Sequence, residues 1–193
     1  MKKFLPIVVF FASFTFFVLG HVVSNILYPN NLSGHNTLLG NYLYSKKNDK
    51  IPLIKVKGID GKIFDLTKLG APIVMFNFWA SWCSPCLNEM PTLVKLKGKF
   101  KDSELMIFGF NWEESISLDK IKKVAAKFKI NFPLVIDEDG SIWDMFSVMN
   151  IPMTIIFFKG ERIKSIEGGK DFSSIEFQEE IEKLLAKSRA NSN

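Results

Sequence analysis

Residues 73–100, IVMFNFWASWCSPCLNEMPTLVKLKGKF, decide the fold of this chain. They begin with Ile73–Trp79, a nearly continuous apolar run of strand length, which is typical of a strand covered on both faces of a sheet. Apolar residues then recur at helical spacing towards Phe100, with Pro91 as an expected kink. The sequence therefore predicts a buried strand, a short loop and a helix that begins near Cys83.

Both cysteines of the chain, Cys83 and Cys86, lie at this predicted helix start. The unpaired N–H groups of a helix start and the positive end of its dipole stabilise an anion, so a thiolate is favoured there. A thiolate attacks a disulfide, forms a mixed disulfide and is then displaced by a second thiol. We expect Cys83, nearer the loop, to be the exposed nucleophile and Cys86, one turn further, to be the resolving thiol.

A structural zinc site needs four nitrogen or sulfur ligands, and the cysteine pair supplies two of them. The histidines, His21 and His35, lie far upstream, and His35 falls in a polar stretch where we expect it to be solvated. We therefore predict no metal site and no cofactor. An inert structural disulfide is the alternative to redox chemistry, but closing so short a loop removes little chain entropy. The motif favours thiol-disulfide exchange.

The segments around this unit alternate between strand and helix patterns. The alternation predicts an α/β domain at residues 51–187, with a central mixed β-sheet flanked by helices and an added N-terminal β-hairpin. The predicted elements are a hairpin of Ile54–Lys57 and Ile63–Leu66 across Asp60-Gly61, a strand at Leu105–Phe110, a helix at Leu118–Phe128 capped by Ser117, a strand at Leu134–Ile136 with a turn at Asp137–Gly140, a hairpin of Met153–Phe158 and Arg162–Glu167, and a final helix opened by a capping box at Ser173–Glu176.

The first residues are typical of an export segment. Phe4–Leu19 is apolar except for two hydroxyl residues and follows Lys2 and Lys3, as in a signal peptide or a membrane anchor. The segment either stays as an anchor or is cleaved after Gly20 or Ser24, and the positive-inside rule places the rest of the chain outside the cytoplasm. The predicted boundaries are residues 1–24 for this segment, 25–50 for a spacer and 188–193 for a C-terminal tail.

The charge of the chain argues against a nucleic-acid partner. The sequence has 25 basic and 20 acidic residues, a formal net charge of +5. This balance is too even for a phosphate-binding surface, which needs clustered lysine and arginine.

The stretch Phe78–Cys86, FWASWCSPC, resembles the active site of the thioredoxin superfamily. Its continuation Leu87–Pro91, LNEMP, is similar to the exported, membrane-anchored TlpA-like and ResA-like branch. The resemblance covers about Ile51–Leu185 and implies a thioredoxin-like fold. Three further matches are Gly109–Asn111, Asn131–Asp137 and Ile151–Thr154.

The resemblance also implies a groove for the substrate. Pro152 is expected to follow a cis peptide bond and to face the cysteines. The backbone of Ile151 is then expected to pair with a strand of the substrate, beside Trp82, Ser84 and Pro85. The alternative is an ordinary trans proline that begins an edge strand.

The tryptophans divide between the site and the core. We expect Trp82 to cover the disulfide and to contact partners, and Trp79 to lie in the core. Trp112, which Glu113 and Glu114 follow, either lines the groove or anchors a packed loop.

Glu89 is the candidate for proton transfer at the resolving cysteine. Cytoplasmic thioredoxins have a buried aspartate for this task, but this chain has Asn77 there, which does not titrate. Glu89 lies one turn after Cys86 on the same helical face, and burial there raises the pKa of a carboxyl. Similar ResA-like proteins carry a glutamate at this position with that role. The alternative is a solvated glutamate near Lys95 and Lys97.

The resemblance implies an exported thiol-disulfide oxidoreductase that acts outside the bacterial cytoplasmic membrane. Such proteins typically take electrons from a membrane thiol donor and reduce oxidised cysteines of exported proteins, often of apocytochrome c or of metal-site assembly proteins. Cytochrome-maturation reductases tend to have a glutamate directly after the cis-proline, where this chain has Met153. The cytochrome assignment is therefore weaker than the general one.

Other functions stay open at this point. A thiol oxidase has the same motif, because the redox direction depends on how far the Cys83 thiolate is stabilised. A Cu(I)-binding assembly factor could use both thiolates, although its relatives add a histidine that this domain lacks. A thiol peroxidase would need a different cysteine environment, and a non-catalytic module would tolerate loss of Cys83.

Overall fold

The computed structural model describes residues 49–113 and 115–190. The predicted export segment, most of the predicted spacer with His35, Glu114 and the last three residues of the predicted tail lie outside the described residues. Within the described ranges, no helix is both long and apolar enough to cross a membrane.

The described residues form two sheets and four α-helices. The strands are β1 (Lys55–Lys57), β2 (Ile63–Asp65), β3 (Ile73–Trp79), β4 (Leu105–Asn111), β5 (Leu134–Ile136), β6 (Met153–Phe158) and β7 (Glu161–Glu167). The helices are α1 (Ser84–Lys97), α2 (Leu118–Phe128), α3 (Ser141–Phe146) and α4 (Ile175–Ala190), and a short 3₁₀-helix spans Leu66–Lys68.

The main sheet has the strand order β5-β4-β3-β6-β7, so β3 lies at its centre. β3 pairs in parallel with β4 and antiparallel with β6, and all seven of its residues are buried. The pairing confirms the prediction of a mixed central sheet and of a strand covered on both faces. Pro91 lies inside α1, as expected from the sequence.

The two faces of β3 have different neighbours, because successive side chains point to opposite faces of a strand. Ile73, Met75 and Trp79 belong to a core cluster with α1, α2 and α4. Asn77 has the same parity and therefore faces α1 as well. The other face is a layer of aromatic rings with centroids about 5–6 Å apart, formed by Phe76, Phe78, Phe108, Phe110, Phe146 and Phe157.

The predicted N-terminal hairpin is present and lies against the edge of the main sheet. β1 and β2 are antiparallel and turn at Gly61, whose φ is +84°. Gly58 bridges to Val135, and Ile59 N–H donates to the Leu134 carbonyl at 2.9 Å, so this hairpin covers the outer edge of β5. A covered edge does not pair with other chains.

The residues before the hairpin bind the opposite edge of the sheet. Arg162 N–H donates to the Asp49 carbonyl at 2.7 Å, and Ile51 N–H donates to the Gly160 carbonyl at 3.0 Å. Residues 49–59 thus pass from the β7 edge to the β5 edge, and we call this segment the N-terminal strap.

Helix α3 was not predicted from the sequence, which indicated only the turn at Asp137–Gly140. Six residues are too few to give a periodic signal, and Gly140 at the helix start has no side chain to cap it. The carboxylate of Asp137 acts instead: its Oδ2 accepts from Ile142 N–H at 3.0 Å and from Trp143 N–H at 2.9 Å. The buried side chain of Asp137, three residues before Gly140, therefore holds the start of α3 in place.

The start of α4 differs from the prediction by one residue. Ser174 Oγ accepts from Phe177 N–H at 3.3 Å, whereas the Ser173 hydroxyl donates to Asp171 at 2.7 Å. Ser174 is therefore the cap, and the predicted capping box that began at Ser173 is wrong. The local Asp171–Ser173 turn competes for the hydroxyl of Ser173.

Replacing Asp137 by alanine removes the acceptor of two amides at the start of α3. We expect the free energy of unfolding to fall by about 1–3 kcal/mol, and D137N to lose less because it keeps one acceptor oxygen. Urea unfolding measures both variants. Glu138→Ala, in the exposed part of the same turn, is the control, and an equal loss in E138A and D137A would contradict the capping role.

Candidate active site

Cys83 and Cys86 form a disulfide at the start of α1, with an S–S distance of 2.02 Å. Cys83 is the residue that caps this helix, and its Sγ accepts from Cys86 N–H at 3.2 Å. The predicted placement of the cysteine pair at a helix start is confirmed. An anionic sulfur of Cys83 would sit where the helix N–H groups stabilise it.

Both cysteine side chains are buried in the disulfide state, which differs from our expectation for Cys83. Cys83 is 4% exposed and Cys86 is 0% exposed, and both belong to the core cluster between the sheet and α1. The prediction of an exposed Cys83 is wrong for this state because its sulfur is bonded inward to Cys86. The neighbouring side chains form the accessible surface instead: Trp82 is 70% exposed, and Ser84 and Pro85 are also exposed.

The Ile151–Pro152 peptide bond is cis, as the resemblance implied. The register of β6 on β3 sets Met153 beside Phe78. The two residues before β6 therefore lie near the end of β3, where the loop to Cys83 leaves the sheet. Ile151 packs against the core cluster that contains the cysteines. Pairing of a substrate strand with Ile151 stays a prediction.

A second loop flanks the disulfide and was missed in the sequence. A Cβ atom on Gly169 would lie 3.9 Å from Pro85, so the loop after β7 passes directly beside the residues between the cysteines. No pattern within that loop indicates this contact. It follows from the return of the chain from β7 to α4.

Glu89, Asn77 and Thr154 form a buried hydrogen-bonded group behind the cysteines. Asn77 Nδ2 donates to Glu89 Oε1 at 2.7 Å and to Thr154 Oγ1 at 3.0 Å. Lys170 N–H donates to Glu89 Oε2 at 3.3 Å. Asn77 and Thr154 are directly opposite each other on β3 and β6. Thr154 was not predicted for the site, and only the strand register reveals it.

The environment of Glu89 is that of a buried carboxyl. Its side chain is 3% exposed, so the alternative of a solvated glutamate is wrong. Lys97, one of the expected neighbours, pairs with Asp102 at 2.8 Å instead. Burial raises the pKa of Glu89 to about 7, although the hydrogen bonds from Asn77 and Lys170 act in the opposite direction. Glu89 can therefore exchange a proton near neutral pH.

Among the residues that the structure describes, no group of three or more histidine, cysteine, aspartate or glutamate side chains could hold a metal ion. The chemistry that the described site supports is redox chemistry of two sulfurs next to a carboxyl group.

Comparison with known proteins gives a consistent result. Residues 48–166 match the AhpC/TSA family. The chain is 29% identical over 122 residues to the thiol-disulfide oxidoreductase ResA of Halalkalibacterium halodurans, covering 63% of this chain and 68% of that protein. It is 31% identical over 133 residues to the thioredoxin-like protein YneN of Bacillus subtilis, covering 65% of this chain and 77% of that protein.

Solved structures show the same fold at lower sequence identity. A putative thiol:disulfide interchange protein DsbE from Chlorobium tepidum superimposes with a TM-score of 0.62 at 22% identity, covering 72% of this chain and 96% of that one. A secreted Mycobacterium tuberculosis disulfide oxidoreductase gives a TM-score of 0.56 at 21% identity, covering 70% of this chain and 96% of that one. The predicted thioredoxin-like fold is confirmed.

The raised pKa of Glu89 makes the folded protein less stable as the pH rises. The neutral carboxyl is not penalised below pH 4.5, and stability is lost progressively up to a pH of about 7, where the folded form ionises. Glu89→Gln stays uncharged, so we expect its stability relative to the wild type to improve by a few kcal/mol over that interval. Urea unfolding at a series of pH values measures this difference.

Glu182→Gln, on the exposed face of α4, is the matched control for that series. Its stability should stay parallel to the wild type at every pH. Parallel curves for E89Q as well would show that the carboxyl is not buried as described.

Proposed function

The chain belongs to the AhpC/TSA family of thioredoxin-like proteins and is a thiol-disulfide oxidoreductase, and from this premise we propose that it reduces disulfides of exported proteins through a Cys83/Cys86 dithiol. The observation that carries the proposal is the cysteine pair at the start of α1 with a buried, titratable Glu89 behind it. An inert structural disulfide would have no use for such a carboxyl.

The proposed reaction transfers two electrons from the dithiol to the substrate disulfide. The Cys83 thiolate attacks one substrate sulfur, the substrate S–S bond breaks, and the other substrate sulfur leaves as a thiolate. Cys86 then loses its proton and attacks the Cys83 sulfur. The second substrate sulfur is released, and the Cys83–Cys86 disulfide remains, as in the structure. A thiol donor must restore the dithiol in the same way.

Glu89 is the proposed acceptor of the Cys86 proton. It lies one turn along α1 from Cys86 and is held by Asn77 at 2.7 Å. A carboxyl with a pKa of about 7 is divided between its two protonation states near neutral pH. It can take the proton during reduction of a substrate and return it when the donor reduces the enzyme.

Substrate contact is proposed for the exposed surface around the disulfide. Trp82, Ser84 and Pro85 are exposed, whereas the sulfurs are not, so a partner must first meet these residues. Ile151 and Pro152 lie at the adjacent loop, and an extended substrate segment that pairs with the Ile151 backbone would lie across the cysteines. This arrangement suits a protein substrate rather than a small molecule.

The proposed location is outside the bacterial cytoplasmic membrane. It rests on the apolar Phe4–Leu19 segment behind two lysines, and the structural neighbour from Mycobacterium tuberculosis is itself a secreted protein. Residues 1–24 would either anchor the protein or be cleaved. In both cases the electrons would come through a membrane thiol donor, and cytochrome c maturation or metal-site assembly would supply the oxidised substrates.

The reduction potential tests the direction of electron transfer. We expect the full chain, equilibrated with dithiothreitol or glutathione buffers, to have a potential near or below roughly −270 mV, as for reductants of this fold. A value near roughly −120 mV would mean that the protein inserts disulfides, and the proposed function would be wrong.

The roles of the two cysteines are tested by trapping. Cys86→Ser lacks the resolving thiol, so it should accumulate a mixed disulfide with oxidised insulin that is visible on a non-reducing gel. Cys83→Ser should form no adduct. The opposite pattern, with the adduct in C83S alone, would exchange the two assignments.

A further inference from the structure

The carboxylate of Glu113 binds the loop that leads to Cys83. Its Oε1 accepts from Ser81 N–H at 2.6 Å, and its Oε2 accepts from the Ser81 hydroxyl at 2.8 Å. Glu113 is on the loop after β4, and its side chain is 6% exposed. A nearly buried carboxylate therefore holds both polar groups of Ser81, two residues before the proposed nucleophile.

The end of β4 supports this contact. Asn111 Nδ2 donates to Glu113 Oε1 at 2.8 Å and to the Trp79 carbonyl at 3.3 Å. Trp79 and Asn111 are register partners at the ends of the parallel strands β3 and β4. We call Glu113, Asn111 and Ser81 the loop clamp, because together they tie the Ala80–Trp82 loop to the neighbouring strand.

Glu113 also brings a negative charge to the redox site. Burial acts to raise the pKa of Glu113, but hydrogen bonds from Asn111 and Ser81 and the nearby Lys120 outweigh it, so the pKa lies below the usual value. Lys120 Nζ lies 3.6 Å away and is half exposed. Since Ser81 and Cys83 are two residues apart, their Cα atoms lie within about 7 Å of each other. The hydrogen bonds to Ser81 hold this negative charge on the same loop as Cys83, and a nearby negative charge acts against ionisation of a thiol.

We propose that Glu113 is a positioning residue of the redox site, which fixes the loop that presents Cys83 and opposes ionisation of its thiol. This inference rests on the proposed thiol-disulfide function. It deepens that function, because a less stabilised thiolate favours the disulfide form of the protein and makes its dithiol a stronger reductant. Glu113 thus opposes the effect of the α1 start on the same sulfur.

The test follows the alkylation of Cys83 by iodoacetamide as a function of pH. All variants are made in the full chain with Cys86→Ser, so that Cys83 is the one remaining thiol. Glu113→Gln keeps an acceptor oxygen and removes the charge, so the midpoint should move to lower pH and the rate at about pH 6 should rise about threefold, as half a pKa unit gives. Glu182→Gln is the matched control and should leave the profile unchanged.

Two further variants separate charge from packing. Ser81→Ala keeps the charge of Glu113 but loses the hydrogen bond from the Ser81 hydroxyl. The pH midpoint of Cys83 alkylation should therefore stay unchanged. The alkylation rate at high pH should rise about twofold or more, because the loosened loop gives easier access to Cys83. Lys120→Gln, on an exposed helix position, should move the midpoint to higher pH, and it tests the charge effect even if E113Q does not fold. Glu89 is present in every variant, so its titration affects all the alkylation profiles equally and does not contribute to the differences between them.

A lower midpoint in E113Q, with the midpoint of S81A unchanged, would support the proposed role of Glu113. A midpoint for E113Q that coincides with the wild type, or a shift of equal size in S81A, would overturn the proposal, because the carboxylate charge would then have no effect of its own. A downward shift in K120Q would overturn it as well. The assay needs no substrate, so a failure of wild-type insulin reduction would refute the proposed function without affecting this result.

Discussion

Backbone pairing of β3 with both β4 and β6 is the constraint on which the redox site depends. The register sets Trp79 beside Asn111 on one side and Asn77 beside Thr154 on the other. The loops that carry the cysteines, the loop clamp and the cis-proline therefore meet near one end of the sheet. A slip of one residue in β3 would turn Asn77 to the aromatic face and would leave Glu89 without its amide partner.

One face of β3 packs in an apolar layer that stabilises the fold, and the other face buries polar side chains at a cost in stability. The buried phenylalanine rings each stabilise the fold by about 2–3 kcal/mol. On the other face, the Oδ1 atoms of Asn77 and Asn111 have no hydrogen-bond partner among the described residues, which costs about 1–3 kcal/mol for each atom. The aromatic layer offsets this cost and lets a carboxyl group remain buried behind the disulfide.

Signals that are local in the sequence predicted the corresponding parts of the structure. The apolar run of β3, the helical spacing of α1 and the Ser117 cap of α2 are all local, and each element lies where it was expected. The burial of Cys83 depends on the oxidised state of the cysteine pair, which the sequence does not reveal. The contact of Thr154 with Asn77 and the clamp by Glu113 depend on residues distant in the chain. Trp112, whose place was left open between groove lining and a loop anchor, packs on Trp143 with ring centroids 5.6 Å apart and is 46% exposed, so the packing expected of a loop anchor is present.

The N-terminal strap determines where an independent folding unit can start. Its first residues bond to the Gly160–Arg162 end of β7, and its last residues bond to β5, so one short segment reaches both edges of the main sheet. A fragment that began after Ile59 would keep the cysteines and every side chain of the loop clamp. It would nevertheless leave the start of β7 and the outer edge of β5 without the strap, and unpaired strand edges template association between chains. A shortened chain therefore keeps every backbone hydrogen bond between the strap and the main sheet only if the cut falls before Asp49.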